Sequence, residues 1–272
     1  MNALDMEMFR GIRDAARHVA KTKVRAVVLM GEGKAFCAGL DVRSVMKAPL
    51  ANGRELLERE EGEPSNLAQD VSYLWRRVPA PVICATQGVC LGGGFQIALG
   101  CDLRVASADC KFSVMEAKWG LVPDMAITTS LPNLVPRDVA LDLTLTGRVF
   151  QGAEALRMGL VTRLVEDDPR DAALALATQL ADDQSPDATA AAKKLLHATY
   201  DDARVLHLET ALQRRLLGSW NQLAKSATSL NVLTPGFLLD RSTTWSDEAD
   251  DLAERRLTAM LRGEGAGEEE EE

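Results

Sequence analysis

Three consecutive glycines, Gly92-Gly93-Gly94, interrupt the apolar run Gly88-Val-Cys-Leu-Gly-Gly-Gly-Phe-Gln-Ile-Ala-Leu99 and lead directly into a helical pattern. Glycine loses more backbone entropy on folding than any other residue, so three in a row imply a close neighbour that tolerates no Cβ. Close helix–strand packing is one such neighbour, and a bound anion is another. The dinucleotide fingerprint G-x-G-x-x-G fails here, because the glycines are contiguous and Gln96 stands three positions past the central one. P-loop spacing with its lysine is absent too. The remaining anion reading is a helix N-terminus, whose unpaired N–H groups and partial positive charge suit a developing oxyanion. Such a hole takes two donors, and the other glycine-punctuated loop beside a core strand is Gly31-Glu-Gly-Lys-Ala-Phe-Cys-Ala-Gly-Leu-Asp41.

The surrounding pattern alternates strand and helix. Asn2, with Asp5 three positions on, predicts a loose capping box for a helix reaching about Lys21, with Leu4, Met8, Ile12, Ala15, Ala16 and Val19 on one face. Strands are expected at 25–30, 82–86, 102–107, 111–114 and 161–165, and a helix at 67–77. Residues 47–66 read as a surface excursion. Beyond Pro123 the pattern turns helical, with Ala-rich helices at about 171–184, 187–200 and 203–217. This order predicts an α/β core with helices appended C-terminally.

A chain of 272 residues with 46% hydrophobic content can bury a large core. Of its net charge of −9, six negative charges sit in the last ten residues, GEGAGEEEEE, so the remainder is only mildly acidic. That balance argues against a nucleic-acid partner, and the acidic run is expected to be solvated and partly disordered. Cys37, Cys84, Cys90, Cys101 and Cys110 are odd in number and lack metal spacing, which predicts buried reduced thiols. The opening MNALDMEMF carries acids where a secretory leader carries bases, and no apolar run reaches membrane-spanning length. A soluble, cytoplasmic protein without membrane partners is expected.

The segments Lys34-Ala-Phe-Cys-Ala-Gly-Leu-Asp-Val42 and Gly88-Val-Cys-Leu-Gly-Gly-Gly-Phe-Gln-Ile-Ala98 resemble the two signature segments of the crotonase, or enoyl-CoA hydratase/isomerase, family. Further similarities follow in order at Cys101–Arg104, Phe112-Ser113, Glu116, Gly120–Pro123, Leu145–Gly147 and Ala155–Val161. The resemblance covers about residues 1–237. It implies an α/β fold, a crotonase-like spiral of ββα turns with a C-terminal helical oligomerisation region. The implied division is a spiral catalytic core over 1–185, lacking the first strand pair, a helical trimerisation region over 186–237, and an atypical acidic tail over 238–272. Self-association as a trimer or a dimer of trimers is implied as well.

By the same resemblance, the backbone N–H groups of Leu40 and Gly93 form the oxyanion hole for the thioester oxygen of an acyl-CoA. Ala35, Ala38, Asp41 and Val42 border the coenzyme A moiety, which enters only as part of the substrate, with no metal or redox cofactor. Glu116 matches one of two family glutamates that work as acid and base. The other is replaced by Gln96, whose amide has no useful proton affinity but can orient water or substrate. Asp124, eight residues after Glu116, stands where dienoyl-CoA isomerases of the family carry a catalytic Asp; it also reads as a helix N-cap. Double-bond isomerisation through Glu116 and Asp124 is the favoured expectation. Hydration with Glu116 as sole acid/base is the alternative within the class, and a non-catalytic acyl-CoA-binding or assembly subunit is the alternative outside it. Trp119 is expected in the acyl pocket or the core. Lys193-Lys194 reads as a solvated face, and His18, His197 and His207 as structural or surface residues. Near the C-terminus, Val232 stands where the family carries a lysine that reaches the CoA phosphates.

Overall fold

Val82-Ile-Cys-Ala-Thr86 forms a strand in which every residue is buried, the signature of a parallel sheet covered on both faces. In the computed structural model, which describes residues 1–45, 47–61 and 63–197, the first elements are α1 (Met6–Ala20), β1 (Val27–Met30), α2 (Val42–Val45), α3 (Pro49–Leu57), α4 (Leu67–Arg77) and β2 (Val82–Thr86). β3 (Val89–Leu91), α5 (Gly93–Gly100), β4 (Leu103–Ser107) and β5 (Lys111–Ser113) follow. Two 3-10 turns, Glu116–Trp119 and Ile127–Thr129, precede α6 (Leu131–Leu134), α7 (Arg137–Thr146), β6 (Phe150–Gln151), α8 (Gly152–Met158), β7 (Arg163–Val165) and α9 (Pro169–Asp183).

The strands divide between two sheets. Parallel neighbours in the order β1-β2-β4-β7 make the first, with Ile83 opposite Leu103 and Val28 opposite Ile83. The second has the order β3-β5-β6, with β3 parallel to β5 and β6 antiparallel to it. β2 enters the first sheet, β3 the second, and α5 closes the turn; β4 and β5 then repeat the move one level on. This is the spiral of ββα turns that the resemblance implies. Side chains along β2 alternate faces as strand geometry requires: Val82 and Cys84 join the main core, while Ile83 and Ala85 join Val105, Ala173 and Leu176 under α9.

α5 is the central helix, with all eight residues buried. Phe95 lies 5.3 Å from Phe112 and 5.8 Å from Phe150, ring centre to ring centre, which fixes α5 against the second sheet. On its other side Ser72 of α4 donates to the Gln96 carbonyl at 2.8 Å. All five cysteines are buried and free.

Several expectations need correction. Asp5 rather than Asn2 caps α1, accepting from the Met8 N–H. Residues 47–66 are not simply a surface loop, since α3 begins within them at Pro49, a residue suited to a helix first turn. The last strand starts at Arg163, not Val161. β3 and β6 escaped the sequence pattern because three and two residues leave too few alternations to read.

The chain divides into two compact units after Gln184. In the second, α10 spans Pro186–His197, with the Ser185 hydroxyl accepting from the Ala188 N–H. Lys193 is buried, not solvated, because it lies three residues after Ala190 on the inward face of this helix. The predicted helix at 203–217, His207, Val232 and the acidic tail lie outside the described residues.

The glycines of α5 divide by what faces them. A Cβ on Gly94 would meet Cys37 Cβ at 2.5 Å and the Cys37 carbonyl oxygen at 2.9 Å, both rigidly held. On Gly93 it would meet Met125 Sδ at 2.6 Å and Leu4 Cδ1 at 2.8 Å, the far ends of flexible side chains. Overpacking costs about 1–3 kcal/mol where neighbours cannot yield, against about 0.5–1 kcal/mol gained by replacing a helical glycine with alanine. Urea unfolding is expected to show Gly94→Ala clearly destabilised and Gly93→Ala near parity with the parent. Equal losses in the two variants would contradict this account of the packing.

Candidate active site

Both glycine-bearing loops meet at the N-terminus of α5. Cys37 pairs with Cys90 as a parallel bridge: its N–H donates to the Val89 carbonyl at 3.0 Å, and its carbonyl accepts from Leu91 at 3.0 Å. The loop after it turns at Gly39, whose φ of +91° lies in the left-handed region that favours glycine. A Cβ there would stand 3.0 Å from the Leu91 carbonyl oxygen and 3.9 Å from Gly92 Cα.

A short N-terminal strap clasps this loop from outside. The Leu4 N–H donates to the Gly39 carbonyl at 2.8 Å, and Asp41 donates back to the Leu4 carbonyl at 2.9 Å. The Asn2 side-chain amide donates to the carbonyls of Glu32, Ala35 and Phe36 at 2.9–3.1 Å. Asn2 therefore holds the loop, which is why it is not available to cap α1. In the parallel bridge between Leu4 and Leu40, Leu4 makes both bonds, to Gly39 and Asp41 on either side of Leu40, so the N–H of Leu40 points away from Leu4. The Leu40 N–H makes no hydrogen bond among the described residues. Gly93 is the first residue of α5, so its N–H has no partner within the helix.

The reason for the glycine triplet is thus more mundane than anion binding alone. The Cβ directions of Gly93 and Gly94 are filled by Met125, Leu4 and Cys37, and Gly92 adopts φ +52°, ψ −122°. Protein packing accounts for the missing side chains, while the N–H of Gly93 remains unspent.

Behind this junction lies a chain of polar contacts. Gln96, fully buried on α5, accepts from the Met125 N–H through Oε1 at 3.0 Å and donates through Nε2 to Glu116 Oε1 at 2.6 Å. Glu116 opens the 3-10 turn, and its Oε1 stands 3.3 Å from where a Gly92 Cβ would be. Its other oxygen, Oε2, is buried without a hydrogen-bond partner among the described residues. Burial pushes the Glu116 carboxyl above its ordinary value. Its own backbone N–H and the Gln96 amide oppose the rise, and the negative charge of Asp124 adds to it. Desolvation raises Asp124 also, against its own backbone N–H, although the residue is exposed at the surface. A carboxyl whose proton affinity is raised above the ordinary range is suited to acid–base chemistry.

Asp124 caps no helix, which corrects that reading; the next turn begins at Ile127, with Ala126 in the left-handed region before it. Asp41 caps α2 instead, accepting from the Ser44 N–H at 3.0 Å, and Val42 is the first residue of that helix. Ala35 is buried and Ala38 half-buried, with the Ala38 N–H donating to the Met1 carbonyl. Trp119 is 62% exposed, so it belongs to no core, and Leu121 and Val122 beside it are exposed as well. Sequence reasoning missed Met125, which orients Gln96 with its backbone and backs Gly93 with its thioether. A methionine in an irregular segment gives no pattern that could have revealed either role.

Comparison with known proteins assigns the family and the fold. A sequence model of the family described as enoyl-CoA hydratase/isomerase matches residues 1–235. The enoyl-CoA hydratase EchA19 of Mycobacterium tuberculosis is 36% identical over 198 residues, covering 72% of this chain and 71% of that protein. The (E)-benzylidenesuccinyl-CoA hydratase of Thauera aromatica is 35% identical over 168 residues, 61% of this chain and 62% of that one. Among solved structures, an enoyl-CoA hydratase from Polaromonas sp. JS666 superposes with a TM-score of 0.73 at 29% identity, covering 86% of this chain and 90% of that one. With a family model matched over residues 1–235 and a relative 36% identical over 72% of its length, the chain belongs to the enoyl-CoA hydratase/isomerase family.

Proposed function

We propose that the protein is an acyl-CoA enzyme that moves a carbon–carbon double bond by proton transfer between Glu116 and Asp124. The thioester oxygen accepts from the N–H groups of Leu40 and Gly93. Glu116 Oε2 removes a proton from the carbon next to the double bond, and the electron pair moves onto the thioester oxygen as an enolate held by those two donors. Asp124, entering as the neutral acid, returns a proton at the far carbon of the enolate. The two carboxyls then exchange a proton before the next turnover, so no water enters the product and no metal or redox cofactor takes part.

The observation that carries this reading is the state of Gln96. Both polar ends of its side chain are engaged and it is fully buried, which leaves it badly placed to position the water that hydration needs. Asp124, by contrast, is near enough to raise the proton affinity of Glu116. Hydration with Glu116 as the only acid/base is the second reading, favoured by the hydratase names of the relatives above.

Incubation in heavy water with 2-enoyl-, 3-enoyl- and 3,5-dienoyl-CoA, read by mass spectrometry, separates the two. Bond migration with deuterium uptake and no gain of water is expected, falling about 10²-fold or more in Asp124→Asn. Water addition undiminished in that variant would favour hydration. No change in any substrate, from protein shown to bind coenzyme A, would favour a binding subunit.

Removal of the Glu116 charge should raise stability as it abolishes turnover. Because the folded protein raises this carboxyl, its ionised form costs stability once pH passes the unfolded value of about 4.3, and the cost is complete above the folded value. Glu116→Gln is expected to lose about 10²–10⁴ in rate. Its melting temperature should exceed the parent's at pH 7, with the gain vanishing as pH falls below the unfolded value. A variant less stable than the parent at pH 7 would show that the carboxylate is held favourably instead.

A further inference from the structure

The polar chain from Met125 through Gln96 to Glu116 has only one consistent assignment of hydrogens. A backbone N–H can only donate, so the oxygen end of the Gln96 amide must face Met125. Its NH2 end then faces Glu116 at 2.6 Å, and an amide NH2 can only donate. Glu116 Oε1 must therefore present a lone pair in either state of the carboxyl. When Glu116 is neutral, its carbonyl oxygen is the stronger acceptor for this short amide bond, which places the proton on Oε2, the buried oxygen with no partner among the described residues. From this chain we infer that Gln96 is a positioning residue that fixes Oε2 as the one atom of Glu116 able to take and give the proton.

The fixed backbone donor makes the arrangement directional. Rotating the amide by half a turn would set Nε2 against the Met125 N–H and Oε1 against a carboxylate oxygen, two donor–donor or acceptor–acceptor clashes in a fully buried site. Gln96 cannot rotate without paying for both, so Oε1 of Glu116 stays silent throughout a cycle. A glutamate at position 96 would behave otherwise. It would still accept from Met125, but its second oxygen would face Glu116 Oε1 at the distance of a shared proton, and the two carboxyls would titrate as a pair.

The charged surroundings of Glu116 are few. Asp124 is the charged residue that acts on it. α5 and β3 carry no ionisable side chain other than Cys90. Lys118 on the same 3-10 turn and Arg137, Asp138 and Asp142 on α7, which packs against that turn, do not shift it. A change at residue 96 is therefore read by Glu116 directly.

The inference draws on the role proposed above for Glu116 only for its consequence in turnover, and its test needs no substrate. Carboxyl titration is followed by NMR on protein carrying 13C-labelled glutamate, with Glu116 assigned by its absence from Glu116→Gln. The parent is expected to show one step for Glu116. Gln96→Glu should replace it with two coupled steps separated by more than about one pH unit. Gln96→Met, which removes the donor to the charged form, should move the single step upward. The infrared carbonyl stretch of protonated Glu116 in the parent should be that of a hydrogen-bonded C=O, lowered from the free-acid position; this needs no variant at residue 96. A free-acid stretch in the parent overturns the inference, as does a Glu116 titration unchanged in Gln96→Glu or Gln96→Met. Failure of the bond-migration assay with these titrations as expected would instead count against the proposed reaction alone.

Discussion

Space for a β-carbon is the constraint on which this site depends. At Gly94 the neighbour is Cys37, which is itself hydrogen-bonded on both sides into the strand leading to the triplet. The loop at 37–41 and the start of α5 are thereby locked at backbone contact, and the two N–H groups of Leu40 and Gly93 inherit a fixed relation from that lock. A side chain at Gly94 would wedge the loop from the helix before it touched any ligand. The strap of Met1–Leu4 closes the same loop from the other side through Asn2 and three backbone bonds. Preorganised donors stabilise developing charge because they need not reorganise when it appears. Here the organisation is built from packing that the protein would need in any case.

The same packing decides the electrostatics. Gln96 is the one polar side chain on a helix buried all round, and it survives there because both ends of its amide are satisfied. Its donation to Glu116 stabilises the carboxylate, while burial and Asp124 work against it, and burial prevails. The result is a carboxyl with raised proton affinity, with Oε1 held beside the glycine junction by Gln96 and Oε2 left without a hydrogen-bond partner among the described residues. Asp124 reaches the same condition by a different route, with desolvation alone raising it although the residue is exposed at the surface.

Much of this was legible in the residues, and the exceptions are instructive. β2 and α4 fall at their predicted bounds because a run of buried β-branched residues and a capped amphipathic helix are local signals. The capping box at Asn66–Gln69 is complete. β3 and β6 are set by their neighbours in the second sheet, not by their own pattern, so a window on the sequence cannot find them. Asn2 is expected as a helix cap, and Asp124, first a candidate acid, also reads as one, the commonest task for their residue types. Asn2 is drawn away by three carbonyls 30 to 34 positions distant, and Asp124 by the absence of a helix to cap. Trp119 had an aromatic's usual expectation of burial, but a left-handed Gly120 ends its turn at the surface. The residues of the candidate site could be nominated from motifs, whereas their hydrogen-bond directions could not, because those depend on the Met125 backbone arriving from the far side of the turn.

That backbone donor explains why an amide is tolerated where a second carboxyl would be a burden. Two ionised carboxylates 2.6 Å apart at an effective dielectric of about 20 would repel by on the order of 6 kcal/mol, so a pair in this place must hold a proton between them. Such a pair gains a second proton carrier but gives up a defined partner for each oxygen. With Gln96 the repulsion disappears and Glu116 keeps a single working oxygen, so any second carrier must come from elsewhere. The nearest charged side chain that acts on Glu116 is Asp124, which lies one residue before the Met125 N–H that orients Gln96. One short segment thus sets the amide, backs Gly93 and presents the second carboxyl. Gln96 and Asp124 are on this geometry two parts of one arrangement.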